Sequence, residues 1–276
     1  MRIGLIISNN SIKKYEIEEL KNLIQNDDYK ISYIFSEIKK PKKRFKIFEI
    51  LKYILINRLF YLIYLEQKLS SFINQKNSFF EKIKDLEKKL NIFEEFPQIN
   101  KIKKMEFDCL KIIKKYTFKK EMVEAINNNC DVVILLGFNK ILHSEILKIT
   151  KYGILSFHTS DINKYRGRPA AFNEFINNEK FGGVTLQLLD ERLDFGKIVE
   201  LRKVEIETSK SYDETLFRMM NLKSDMIIKG LNRIKKGENL SKPDTKCELS
   251  TFAKSRKFNK VLSCLKKTIN KRYLNK

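Results

Sequence analysis

Histidines and paired cysteines are scarce in this 276-residue sequence. Its two histidines are His143 and His158, and its four cysteines form no CxxC pair. The cysteines are Cys109, Cys130, Cys247 and Cys264. Cysteines scattered in this way lack the usual spacing of zinc ligands and are typical of reduced thiols in a reducing compartment. We therefore predict no metal site, and a catalytic imidazole has few candidates.

Long apolar runs are also missing. No stretch approaches the ~20 apolar residues that a membrane-spanning helix needs. The most apolar window, residues 47–65, is interrupted by Lys52 and Arg58. Residues 1–8 read directly as a strand and lack the layout of a signal peptide. We expect a cytoplasmic protein without a transmembrane segment.

Acidic residues are far fewer than basic ones, 34 against 56, so the formal net charge is +22. Clustered cations bind phosphates, and such a charge favours a nucleic-acid partner. Lysine, however, outnumbers arginine 45 to 11 and is spread along the whole chain, which indicates a compositional bias more than a selected patch. The charge alone does not identify a partner.

The first strand is not followed by a GxGxxG motif, so a dinucleotide site of the common type is not predicted. A strand at 1–8, a helix at 16–25 and a strand at 30–35 begin a parallel α/β sheet. Apolar runs at 131–137 and 153–158 are typical of further buried parallel strands. The pattern predicts a doubly wound α/β fold with a mostly parallel sheet.

Two other regions complete the predicted organisation. We expect an α/β domain over residues 1–205, with a basic helical insertion at about 38–105. The apolar residues of this insertion fit a packing face, and a helix lying on a membrane surface is the alternative. Residues 211–236 have apolar positions at helical spacing and predict one long helix. Residues 206–276 are therefore predicted as a mainly helical C-terminal extension.

His158 is the main candidate for chemistry. The strand predicted at 153–158 ends at this residue, and side chains alternate between its faces, so Ser156 and His158 point the same way. Ligand crevices of open α/β sheets lie at the carboxyl ends of the strands. A single histidine is often structural, and at this position both interpretations stay open.

Asp194 is the second candidate. It lies in the segment Leu193–Gly196, which reads as a turn between two strands, and a simple turn accounts for an aspartate followed by Gly196. In a functional interpretation, Asp194 pairs with His158 and orients its imidazole.

Four segments, in this order and spacing, resemble the signature of the folate-dependent formyltransferases. They are Leu135–Leu142, His158–Gly167, Gly183–Thr185 and Leu193–Gly196. The family includes enzymes that formylate glycinamide ribonucleotide, methionyl-tRNA and amino sugars. The resemblance is good over about residues 128–205 and loose over residues 1–35.

The resemblance implies a fold of formyltransferase type and the donor 10-formyltetrahydrofolate, with no metal. An acceptor amine attacks the formyl carbon, protonated His158 stabilises the resulting oxyanion, and Asp194 holds the imidazole and helps relay the proton. Ser156 stands at the position of the family's catalytic asparagine. The predicted folate-binding residues are Leu135, Gly137, Asn139, Lys140, Leu142 and Asp194.

The sequence departs from the family pattern in two places. Ser156 offers one hydroxyl where the family has an amide, and loss of an oxyanion donor costs about 2.7–4 kcal/mol. Asp161-Ile162-Asn163 replaces Leu-Leu-Pro, which indicates a remodelled acceptor loop. A serine hydrolase built on Ser156 and His158 is a weak alternative, because the sequence has no GxSxG motif.

The predicted acceptor is the primary amine of a small molecule, an amino sugar that is often nucleotide-linked. Lys164, Arg166 and Arg168 follow the catalytic histidine and are predicted to bind its phosphates. In the alternative interpretation, Arg166 braces the loop. Methionyl-tRNA is the alternative acceptor, favoured by the charge of +22. A catalytically degenerate member that binds folate or RNA is the non-enzymatic alternative.

Overall fold

A computed structural model describes residues 1–38, 78–113, 115–244, 248–250 and 258–271 of the chain. The first part of the predicted helical insertion, residues 39–77, lies outside the described residues.

A twisted sheet forms the centre of the molecule. The strands of the described residues are β1 (Arg2–Ser8), β2 (Ser11–Lys13), β3 (Lys30–Glu37), β4 (Lys89–Asn91), β5 (Lys103–Phe107), β6 (Leu110–Ile112), β7 (Lys115–Thr117), β8 (Val132–Leu135), β9 (Ile154–His158), β10 (Tyr165–Gly167), β11 (Phe181–Leu188), β12 (Lys197–Glu205) and β13 (Glu248–Ser250). The main sheet runs β12, β11, β9, β8, β1, β3, β5, and β2 and β4 continue from β1. β9, β8, β1, β3 and β5 are parallel, whereas β11 and β12 are antiparallel to their neighbours.

Helices cover both faces of this sheet. The α-helices of the described residues are α1 (Ile17–Ile24), α2 (Phe79–Leu86), α3 (Ile92–Glu95), α4 (Lys120–Asn129), α5 (Phe172–Ile176), α6 (Tyr212–Met220), α7 (Met226–Lys235) and α8 (Phe258–Ile269). Short 3₁₀ turns occupy Lys14–Glu16, Pro97–Lys101, Ser144–Lys148 and Asn221–Lys223. α1, α6 and α7 pack on one face of the sheet and α4 on the other. The predicted doubly wound α/β fold with a mostly parallel sheet is confirmed.

The two faces are separated by the alternation of side chains along each strand. In β9, Leu155 and Phe157 belong to the core under α1 and α7, whereas Ile154 belongs to the core under α4. Ser156 and His158 therefore lie on the α4 face. The carboxyl ends of β1, β3, β8 and β9 meet at one edge of the sheet, where the predicted site residues lie.

Two sequence predictions need correction. Lys103–Phe107, inside the predicted helical insertion, is the edge strand β5 of the main sheet. Its lysines face solvent at the edge of the sheet, so the segment lacks the alternation of apolar and polar residues that would predict a strand. The single long helix predicted at 211–236 is two helices, α6 and α7. Asp225 between them has a φ of +59°, a left-handed conformation that interrupts a helix.

Candidate functional site

His158 closes β9 and is 7% exposed. It stands opposite Thr185 across the β9–β11 pair, on the same face as Ser156. The Nε2 atom of His158 lies 3.0 Å from the carbonyl oxygen of Tyr165. Since a carbonyl oxygen only accepts hydrogen bonds, Nε2 carries a proton in this arrangement. The loop that follows the strand therefore fixes the orientation of the ring.

Asp194 lies beside His158, as the sequence predicts: its Oδ2 atom is 3.5 Å from Nδ1 of the imidazole. The same oxygen accepts a hydrogen bond from the backbone N–H of Gly167 at 2.9 Å, and Oδ1 accepts one from Nε2 of Gln187 at 3.3 Å. Asp194 adopts a φ of +46°, which aspartate tolerates better than most residues. Two donors, from Gly167 and Gln187, thus hold the carboxylate of Asp194 against the imidazole.

Gln187 is a site residue that the sequence interpretation missed. Besides donating to Asp194, its side-chain carbonyl accepts the backbone N–H of Gly196 at 3.0 Å. A Cβ atom at Gly196 would lie 2.1 Å from the carbonyl oxygen of Leu188, so the turn requires glycine. The available signal was the period of β11: Gln187 is two residues after Thr185 and faces the same side of the sheet as His158.

Ser156 is half-buried and stands directly opposite Gln187 in the β9–β11 pair. Side chains opposite each other in an antiparallel pair face the same side, with Cβ atoms about 5 Å apart. An amide is therefore present beside Ser156, although it comes from the neighbouring strand and not from the position of the family's asparagine.

The remodelled loop after His158 has its own anchor. Asp161 is 3% exposed and pairs with Nζ of Lys203 at 2.7 Å, and its other oxygen accepts the backbone N–H of Asn163 at 3.0 Å. The backbone N–H of Ile162 donates to Oγ1 of Thr185 at 3.2 Å. Asp161 thus fills the position of a family leucine with an ion pair to β12.

The segment proposed to bind folate leaves the carboxyl end of β8. Leu135 and Leu142 are buried in the core under α4, and Asn139 is exposed. Gly137 has a φ of +63° and donates its backbone N–H to Glu16 at 3.1 Å. Nζ of Lys140 forms an ion pair with the buried carboxylate of Glu37. The Lys140 side chain is therefore paired with the last residue of β3.

The three predicted phosphate-binding residues have different surroundings. Lys164 pairs with Glu179 at 2.5 Å. The guanidinium of Arg166 lies 4.8 Å from the ring centroid of Phe195, which fits the interpretation that Arg166 braces the loop. Arg168 is exposed.

Glu174, in α5, lies behind the site and is a second residue that the sequence interpretation missed. It is 1% exposed, and both of its carboxylate oxygens are enclosed by the protein. Burial raises the pKa of Glu174, while Ser160 and the charge of His158 act in the opposite direction. The sequence alone marks this position only as one glutamate in a short helix that is otherwise mainly apolar.

Within the described ranges, no group of three or more His, Cys, Asp or Glu side chains could hold a metal ion. Of the helices in these ranges, none has the length and apolar character needed to cross a membrane.

Comparisons with known proteins identify relatives of this chain and solved structures with a similar fold. The methionyl-tRNA formyltransferase of Fusobacterium nucleatum is 29% identical over 147 residues, 52% of this chain and 47% of that enzyme. The match thus spans less than half of the relative's length. Phosphoribosylglycinamide formyltransferase from Anaplasma phagocytophilum has a similar fold, with a TM-score of 0.54, 15% identity and coverage of 91% of this chain and 98% of that one.

An N-formyltransferase from Helicobacter canadensis, solved with folinic acid and dTDP-3-aminofucose, has a TM-score of 0.53 and 14% identity, covering 99% of this chain and 82% of that one. At such identities the two solved structures establish the fold alone. The family model described as formyl transferase matches residues 81–231, more than half of the sequence. With the predicted resemblance thus confirmed, the chain belongs to the formyl transferase family.

Proposed function

We propose that this protein is an N-formyltransferase that moves the formyl group of 10-formyltetrahydrofolate to a primary amine. The observation that carries the proposal is the buried imidazole of His158 beside Asp194, whose carboxylate the backbone of Gly167 and the amide of Gln187 hold in place. A fixed acid–base pair at the carboxyl edge of a parallel sheet is suited to a reaction that creates a charge and moves a proton.

The proposed reaction uses both nitrogens of the ring. The amine nitrogen attacks the formyl carbon, and the formyl oxygen becomes an oxyanion. That oxygen takes the place of the Tyr165 carbonyl at Nε2 of His158, while Asp194 at Nδ1 stabilises the imidazolium. The bond from the formyl carbon to N10 of the folate then breaks. The proton lost by the amine passes to N10, with Asp194 and His158 as the relay.

The folate is proposed to lie along residues 135–142 on the α4 side. Because Lys140 is paired with Glu37 and Gly137 donates to Glu16, the segment offers mainly backbone groups and the apolar side chains of Leu135 and Leu142. Asn139 is an exposed polar side chain available to the pteridine. Asp194, predicted as both a catalytic and a folate-contacting residue, completes the donor site.

The proposed acceptor is a small amine that carries phosphate, such as a nucleotide-linked amino sugar. The loop after His158 is shaped by the Asp161–Lys203 pair, where the family has Leu-Leu-Pro, and Arg168 is exposed beyond it. A guanidinium offers planar, bidentate donors to a phosphate. These features suit recognition of one compact ligand.

Methionyl-tRNA is the second candidate acceptor. Two observations favour it: the Fusobacterium relative is a methionyl-tRNA formyltransferase, and this chain has a net charge of +22. A tRNA ligand would meet many lysines at once, since contacts to nucleic acids fall mostly on the phosphate backbone.

A transfer assay with 10-formyltetrahydrofolate separates these candidates. Formate release and formyl transfer are followed with dTDP-linked amino sugars and with charged initiator tRNA, each over a range of salt concentrations. For a small acceptor, we expect Arg168→Met to weaken binding, exposed Lys236→Met to leave it unchanged, and salt to have a modest effect. For tRNA, we expect affinity to fall steeply as the salt concentration rises, with a log–log slope of several units.

Each result decides a different part of the proposal. A steep salt slope with turnover on tRNA overturns the small acceptor and retains the formyltransferase. Binding of the folate donor without transfer to either acceptor favours the catalytically degenerate member. Failure to bind the donor at all overturns the proposed function.

A further inference from the structure

Lys223 is a buried cation that the catalytic site does not use. It ends the 3₁₀ turn between α6 and α7 and is 3% exposed. Its ammonium lies 4.1 Å from the ring centroid of Tyr15 and 5.0 Å from that of Phe157. Among the described residues, no salt bridge or hydrogen bond involves this ammonium, and its Nζ atom is not fully enclosed by protein. A buried charge without such a partner is unfavourable unless a ligand or another group supplies one.

The carboxylates nearest to Lys223 are already occupied. Glu16 accepts the backbone N–H groups of Lys13 at 3.0 Å and Gly137 at 3.1 Å. Glu19 accepts the backbone N–H groups that begin α7, from Met226 at 2.8 Å and Ile227 at 3.0 Å. Both carboxylates therefore stabilise backbone, and neither neutralises the lysine directly.

The charge balance around Lys223 is unfavourable to the ammonium. Burial lowers its pKa to about 8, Glu16 and Glu19 oppose this shift, and Lys13 adds to it. Arg168 reaches the same neighbourhood. Burial raises the pKa of Tyr15, Glu16 and Glu87 add to that effect, and the charge of Arg168 opposes it. Nζ of Lys13 also lies 5.5 Å from the ring centroid of Tyr15, but it is paired with Glu87 at 2.8 Å, so Lys223 and Arg168 are the cations of this cluster that remain for a ligand to meet.

This cluster lies on the side of β9 opposite the proposed folate segment. Phe157 belongs to the core under α1 and α7, whereas Phe138 and Leu142 of the folate segment belong to the core under α4. Phe157 directly precedes His158, so the Lys223 ammonium is on the order of 10 Å from the catalytic residue. A donor on one face and an acceptor on the other would meet at His158.

We propose that Lys223, with Arg168 at its margin, forms the subsite that binds an oxyanion of the acceptor, such as phosphate. This proposal rests on the proposed function, because it assigns the acceptor to the Lys223 side of His158. The ammonium gains the hydrogen-bond partner that the protein withholds, and the oxyanion gains a charge-assisted donor in a site of low polarity. The acceptor therefore carries its anionic group within a short linker of the amine that is formylated.

Binding of sulfate to the full-length protein tests the subsite without folate or an acceptor. Sulfate keeps its charge between pH 6 and pH 9.5, so its affinity reports the protein's own titration. Calorimetry at constant ionic strength compares wild type with Lys223→Met, Lys223→Arg and the exposed control Lys236→Met. We expect Lys223→Met to weaken sulfate binding about tenfold or more, the loss of one charge-assisted hydrogen bond. Lys236→Met should match wild type, and wild-type affinity should fall as pH rises through about 8.

Transfer kinetics place the subsite relative to the reaction. Sulfate should compete with a phosphorylated amine and leave binding of 5-formyltetrahydrofolate unchanged. For Lys223→Met, KM for the phosphorylated amine should rise, while the rate with an uncharged amine stays at the wild-type level.

The outcomes separate the two proposals. Equal sulfate affinity in wild type and Lys223→Met overturns the subsite. If Lys223→Met fails to fold, Lys223→Arg retains the charge and must bind sulfate, and absence of binding there also overturns it. Sulfate binding that depends on Lys223 in a protein that never binds the folate donor supports the anion site and overturns the formyltransferase.

Discussion

Asp194 and Lys223 are charged groups on opposite sides of strand β9, and their surroundings differ. Asp194 meets an imidazole, a backbone N–H and a glutamine amide, whereas the described residues give the Lys223 ammonium two aromatic rings and no acceptor. A charge held by several donors has a fixed position, which suits a residue that orients a catalyst. A buried charge without a partner costs stability, and binding of an anion recovers that cost.

The comparison also separates the two substrates of the proposed reaction. The side of β9 on which Asp194 lies, here called the fixed side, contains the segments that match the family pattern. The side on which Lys223 lies, here called the unpaired side, contains residues outside that pattern. Within one family, the chemistry of the donor stays the same while the acceptor changes. The difference between the two sides is therefore expected if Lys223 selects the acceptor and Asp194 serves the chemistry.

The largest expected effect is that of His158→Ala. Loss of the imidazole removes both the oxyanion donor and the proton relay, and kcat should fall by about 10²–10⁴-fold. Binding of 5-formyltetrahydrofolate, measured by fluorescence titration, should stay near wild type because the folate segment is elsewhere. His143→Ala, outside the site, is the matched control and should retain activity. Wild-type turnover by His158→Ala contradicts the assignment.

Asp194→Asn is a smaller change on the fixed side than His158→Ala. Asparagine tolerates the left-handed backbone of this turn and keeps the size of the side chain, but it loses the charge that stabilises the imidazolium. We expect kcat to fall by about 10²-fold. Asp190→Asn, which alters a surface aspartate paired with Lys242 at 3.6 Å, is the control. An equal loss in both variants would remove Asp194 from the mechanism.

Lys223→Met tests the unpaired side through stability. In the folded protein the pKa of Lys223 falls from 10.5 to about 8. Below pH 8, folding therefore buries the charged form of the Lys223 ammonium. This penalty amounts to at most about 3 kcal/mol and disappears as pH rises from 8 to 10.5, where the unfolded chain holds more protons. Methionine fills the same space without the charge.

We therefore expect Lys223→Met to be more stable than wild type at pH 7, with the advantage shrinking above pH 8. Chemical denaturation at a series of pH values measures this difference, and Lys236→Met should show none. A destabilised Lys223→Met at pH 7 would mean that the ammonium contributes to folding, and the contrast with Asp194 would fail.

The sequence predicted the fixed side well for identifiable reasons. The alternation in β9 placed Ser156 and His158 on one face, and the turn at Asp194 was readable from Gly196. It could not reveal Gln187, because its role depends on the antiparallel β9–β11 pair, a contact between distant parts of the chain. The sequence reads as one long helix around Lys223, whereas the structure places this residue in a 3₁₀ turn between α6 and α7, beside Tyr15. The surroundings of Gln187 and Lys223 both depend on contacts between distant parts of the chain, and a local sequence pattern does not contain that information.

The smallest expected effect is that of Ser156→Asn. The family carries an amide at this position, whereas here Ser156 faces the amide of Gln187 across the two strands. An asparagine would add an oxyanion donor on the same face as His158, and the half-buried position leaves room for it. We expect turnover to be retained or raised a few-fold, less than the full value of an oxyanion donor because Gln187 already places an amide nearby.

Single-turnover kinetics give the rate of transfer itself, and Ser156→Ala provides the reference without a polar group. If Ser156→Asn abolishes transfer while Ser156→Ala retains it, the added amide has displaced Gln187 from Asp194. The fixed side would then depend on the Gln187 contact more than on any donor at position 156.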